Sequence, residues 1–229
     1  MDQDHNAAPL NPLPPIVWLM VLPMLAMELV LSLADRGIIG GPQAIGWRIQ
    51  AVERFAFFPE LMRYMVETGT YSPDGLIRLI SYPLIHGTFT HALFAIVMVL
   101  ALGKMVGEIF RWWAVLVVVL GAAIAGALAY GFLVPGLRAQ LMGAYPSVYG
   151  LIGAFTFLLW VRLAGTGTTR YRAFSLIGML LLVQLLFGVL FGSSWDWVAD
   201  IAGFAAGFLL SFVVSPGGFG RVVAMIRQR

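Results

Sequence analysis

His86 and His91 stand five residues apart and are the only imidazoles beyond the N-terminal tail. Such a pair could ligate a metal or a haem iron. The chain has no cysteine, however, and offers no carboxylate at ligand spacing, so no metal or other cofactor is expected and the pair reads as structural. The missing cysteine also removes disulfides and thiolate nucleophiles. Glu28 and Asp200 fall inside long apolar runs, where an ionisable group is a candidate for function because hydrocarbon makes charge costly. Glu28 lies only about 10 Å along a helix from the end of its run at Asp35, close enough for its carboxylate to reach interfacial water.

These residues belong to a chain of 229 that is 60% hydrophobic and 11% charged, with a mean hydropathy of +0.90. Soluble domains run at about half apolar and a quarter charged. The composition therefore points to one membrane domain. The net charge of +3 does not imply nucleic acid as a partner, because the 14 Lys and Arg are scattered between apolar runs and form no patch.

Six apolar runs, at 16–34, 91–106, 112–134, about 144–163, 174–191 and 197–214, each approach the roughly 20 residues that carry a helix across hydrocarbon. The fold class expected is an all-α membrane protein, a six-transmembrane-helix bundle. Residues 36–85 mix charges with apolar pairs, as in Trp47-Arg48-Ile49 and Phe55-Ala56-Phe57-Phe58, which is the texture of interfacial amphipathic helices in a long first extramembrane loop. Residues 1–15 read as a loosely ordered, Pro-rich tail, 16–215 as the transmembrane domain and 216–229 as a short basic cytoplasmic tail. No Lys or Arg precedes Arg36, so a basic signal-peptide n-region is lacking and the first run is expected to be retained.

Orientation follows from the basic residues, because short cytoplasmic loops retain Lys and Arg. With the N-terminus inside, Lys104, Arg111, Arg162, Arg170, Arg172, Arg221, Arg227 and Arg229 all fall in the cytoplasm, and among short loops only Arg138 falls outside. The reading is N-in, C-in. Trp112, Trp113, Trp195 and Trp197 flank the runs as an interfacial aromatic belt. Ser147, Gly150 and Ala154 share one helix face, and Ala199, Gly203, Gly207 and Ser211 form a stripe on another, so both helices can be approached closely.

Four segments now fall into an order. Ile77-Arg78-Leu79-Ile80-Ser81 leads to His86-Gly-Thr-Phe-Thr-His91; Gly103 to Glu108 closes that run; Gly143-Ala-Tyr-Pro-Ser-Val-Tyr-Gly150-Leu-Ile-Gly153 opens the fourth; and Asp196-Trp-Val-Ala-Asp200-Ile-Ala-Gly203-Phe-Ala-Ala-Gly207 opens the sixth. In this order they resemble the rhomboid intramembrane proteases over nearly everything from 77 to 211. The resemblance implies the rhomboid bundle and locates its site: a serine nucleophile on the fourth helix, a histidine base on the sixth, and an oxyanion region shared by His91 and an asparagine of the second helix. In this chain the nucleophile position holds Tyr145 and the base position Asp200. The glycine after the nucleophile is Pro146, and the asparagine is Ala95.

An acyl-transfer site needs an activated hydroxyl within reach of a base. Ser147 is two residues past Tyr145, about 200° around the helix, and is expected to face away from Asp200. The Tyr145 phenol has a reference pKa of about 10, poorly matched to a carboxylate base near 4. No catalytic residue is therefore expected, and Tyr145 and Asp200 should instead face each other and share a hydrogen bond. The resemblance then implies a rhomboid pseudoprotease that binds transmembrane segments of other membrane proteins without cutting them. Arg78, His86, Ser147, Gly203, Gly207 and Glu28 stand as fold-motif or client-site candidates. The alternatives are an active rhomboid-type serine endopeptidase with displaced residues, and a small transporter or channel. The last is disfavoured because Glu28, Gln184 and Asp200 are the only obvious polar groups within the first, fifth and sixth runs and no inverted repeat is visible. The expected location is a lipid bilayer, the bacterial cytoplasmic membrane.

Overall fold

The computed structural model describes residues 12–134, 140–164, 169–191 and 195–218. Residues 1–11, the loop with Pro135 and Arg138, the Gly192-Ser193-Ser194 turn, the basic residues Arg221, Arg227 and Arg229, and the Gln184 side chain lie outside the described residues. The described helices are α1 (Pro15–Asp35), α2 (Trp47–Phe55), α3 (Pro59–Thr68), α4 (Pro73–Ser81), α5 (Phe89–Gly107), α6 (Trp112–Leu133), α7 (Tyr145–Ala164), α8 (Ser175–Phe191) and α9 (Asp196–Val214).

Of these, α1, α5, α6, α7 and α9 are long and apolar enough to cross a membrane. Six spans were the expectation, and the difference is the fifth apolar run. The 3₁₀ turn Arg170–Phe174 takes only the first residue of that run, and α8, which holds the rest, has 17 residues. The α2, α3 and α4 helices have 9, 10 and 9 residues, about half what a crossing requires. Each start is legible locally. Pro15, Pro59 and Pro73 sit in first turns, where a missing N–H costs nothing. Ser72 and Thr88 cap α4 and α5 by accepting from the amides of Gly75 and His91.

Helices α6, α7 and α9 pack backbone to backbone. A Cβ on Gly203 would collide with the carbonyl of Pro146, and one on Gly207 would collide with the backbone of Gly150. One on Gly126 would lie 2.8 Å from Pro146 Cβ and 3.0 Å from the Ala199 carbonyl oxygen. Three helices thus meet around Pro146, and the stripe Ala199, Gly203, Gly207 and Ser211 is buried. By contrast α1 crosses α5 through side chains, with Val17 over Gly103. Helix α8 packs mainly through Leu176, Ile177, Leu180 and Leu181, while Met179, Leu182 and Leu186 are exposed.

The segment between α1 and α5 is pinned to the bundle by polar contacts. Phe57 and Leu141 exchange both backbone hydrogen bonds, at 3.0 and 2.8 Å. The Arg63 guanidinium donates to the carbonyls of Gly131 and Val134, closing the C-terminal end of α6 as a basic residue there should. Arg78 donates to the Ala56 carbonyl at 2.8 Å and lies over the Phe58 ring, and Ser81 donates to the Phe55 carbonyl.

Candidate functional site

The site is assembled from the start of α5, the segment before α7, and the start of α9. His91 occupies the first turn of α5, held by the Thr88 cap. Its ring meets His86 edge to face at 5.1 Å and stacks on Tyr145 at 5.2 Å with 23° between planes. Gly143 passes against it with φ at +95°, and a Cβ there would lie 2.6 Å from His91 Nε2. Only glycine serves, on conformation and on space. Gly143 N–H donates to the Tyr82 carbonyl at 3.0 Å, and the Tyr82 hydroxyl donates to the Ala123 carbonyl in α6 at 2.9 Å. Burial, reinforced by the charge of Asp200, pushes the Tyr82 phenol well above its ordinary pKa.

Asp200 is buried on α9, within electrostatic range of Tyr145 and Tyr149 of α7 as well as of Tyr82. One turn earlier, Asp196 accepts a hydrogen bond from Tyr130 of α6 and lies within electrostatic range of His91. Carboxyls and phenols therefore occupy the region where α6, α7 and α9 meet. Ala95 is wholly buried on α5. Ser147 does not join this group: it is 3% exposed and donates to the Val119 carbonyl of α6 at 3.1 Å. Gly203 and Gly207 bring α9 against α7, while Arg78 braces α2 and the turn after it.

His86 is buried, and its Nε2 accepts from the Ala144 amide at 3.4 Å. Burial first, then the neighbouring His91, pulls its imidazole down to about 4, so it is neutral at physiological pH. Among the described residues no three His, Asp or Glu side chains converge as a metal cage.

Glu28 does not reach interfacial water as its depth suggested. It is 3% exposed and forms a bidentate pair with Arg48 of α2 at 2.9 and 3.0 Å, with Ser32 donating to it at 2.6 Å. The pairing with Arg48 is what makes a buried carboxylate tolerable. Arg48, Tyr82, Tyr130 and Tyr149 are the residues that sequence reasoning missed. Arg48 stands in a Trp-Arg-Ile triplet read as interfacial texture, and nothing periodic links it to Glu28.

These features define a polytopic helical membrane protein whose first long loop is folded onto the bundle. Residues 73–217 match the Rhomboid domain family model, well over half of the 229, and the chain belongs to the rhomboid family. No curated protein matches it.

Proposed function

We propose that this protein is a rhomboid pseudoprotease that binds transmembrane segments of other membrane proteins without cleaving them. In this reading the bundle crosses a bacterial cytoplasmic membrane six times, α8 being the additional span at 17 residues, with both ends in the cytoplasm. The reading rests on one observation above all. Ser147, the serine nearest in sequence to the nucleophile position, is turned onto the Val119 carbonyl of α6, whereas the acid at the base position comes from α9. A nucleophile must share a hydrogen bond with its base, and this one is spent on a helix carbonyl. Tyr145 stands at the nucleophile position with its ring stacked on His91.

What remains is a polar interior of phenols and carboxyls within an apolar bundle. Polar side chains of a client helix find hydrogen-bond partners there that lipid lacks. Clients enter between α5 and α8. The test is photo-crosslinking in membranes from probes at exposed positions of α5 and α8, Phe94 and Leu186, with mass spectrometry of the adducts. Intact membrane proteins captured through their transmembrane segments support the reading. Capture of fragments cut within those segments sinks it in favour of an active protease.

A further inference from the structure

We propose that Arg48 is a positioning residue for the candidate site, holding the backbone that opens α7 through His86. Its guanidinium has no spare nitrogen. Nε donates to Asp35 at 2.6 Å, Nη2 to Glu28 at 2.9 Å and to Ser32 at 3.2 Å, and Nη1 to Glu28 at 3.0 Å and to the His86 carbonyl at 2.8 Å. The Glu28 carboxylate fixes the plane of the fork, and the fork fixes the His86 carbonyl. His86 in turn takes the Ala144 amide on its ring, and Ala144 directly precedes Tyr145. An ion pair between α1 and α2 is thereby linked in three contacts to the residue standing at the nucleophile position.

The same arrangement couples charge to the imidazole. The groups acting on His86 are His91 of α5, Arg48 of α2, Glu28 of α1 and the backbone of Leu84, with the Ala144 amide as its hydrogen-bond donor. Arg48 holds the imidazole down and Glu28 opposes it. A neutral ring is required, because a protonated imidazole has no acceptor nitrogen left for the Ala144 amide. Arg48 thus serves by geometry and by charge. The inference does not depend on what the site binds.

The test uses the full chain in nanodiscs, without any client. Amide exchange is followed by mass spectrometry over residues 141–149, and imidazole titration by nitrogen NMR, which the presence of only three histidines makes tractable. In Arg48→Gln the Ala144 amide should exchange roughly tenfold faster, the consequence of one lost hydrogen bond. The His86 titration should move upward, and in Glu28→Gln it should move downward. Arg48→Lys keeps the charge but not the fork, so the titration should stay low while exchange quickens several-fold. This variant also secures the test should Arg48→Gln fail to fold. Unchanged exchange over 141–149 in the Arg48 variants overturns the proposal. So does an equal rise over α6, which would make Arg48 a general support.

Discussion

The hydroxyl of Ser147 donates to the carbonyl oxygen of Val119 at 3.1 Å, across the α6–α7 contact. A serine held this way has no base. Fluorophosphonate probes should leave the protein unlabelled, and an adduct on Ser147 seen by mass spectrometry would overturn the pseudoprotease reading. Ser147→Ala should cost about 1 kcal/mol in stability, the usual net worth of one hydrogen bond.

The scaffold is expected to accept the chemistry it lacks. Tyr145→Ser, Pro146→Gly, Asp200→His and Ala95→Asn together restore the nucleophile, the glycine after it, the base and the oxyanion partner that the rhomboid resemblance assigns. Cleavage of a rhomboid substrate in proteoliposomes should appear in the combined variant and be absent from the native chain, resolved as a new band on a gel.

Gly207→Ala drives a methyl into the Gly150 backbone, where nothing flexible can yield. It should destabilise the protein by about 2 kcal/mol or more, as overpacking does. Gly178→Ala on α8 meets nothing within 4 Å and serves as the neutral control. Thermal denaturation of both in the same detergent decides the matter.

Acid should weaken the fold through His86. Its imidazole is held at about 4 when folded against 6.5 for the ordinary group, so the unfolded chain takes the proton first. The stabilisation is complete above about 6.5 and is lost as the pH falls through 4, a total of roughly 3 kcal/mol. His86→Gln retains an acceptor for the Ala144 amide but does not titrate. The gap in denaturation midpoint between pH 7 and pH 4.5 should therefore shrink in that variant.

Hydropathy located the spans closely: the first run, read as 16–34, is helix Pro15–Asp35, and the sixth, read as 197–214, is Asp196–Val214. An apolar helix declares itself residue by residue, and small residues at i and i+4 declare the face it presents. The motif order likewise pointed to Tyr145, Asp200 and His91 before any coordinates. What stayed hidden was pairing between distant segments. Glu28 with Arg48, Phe57 with Leu141, and Arg63 with the end of α6 obey no period, because each depends on how the long segment after α1 folds back. The cost of burying a charge indicated that Glu28 needs a partner, but not which of the arginines would be within reach.

The convergence of α6, α7 and α9 on Pro146 has a mechanical consequence. Where main chains touch with no side chains between them, there are no alternative rotamers to absorb a sliding or swivelling motion, so these three helices must travel as a rigid body. Helices α1, α5 and α8 meet the bundle through flexible aliphatic chains that can exchange one staggered state for another. The compliance of the molecule therefore resides in these three helices, and any breathing of the bundle is a displacement of α1, α5 or α8 against an unyielding wedge.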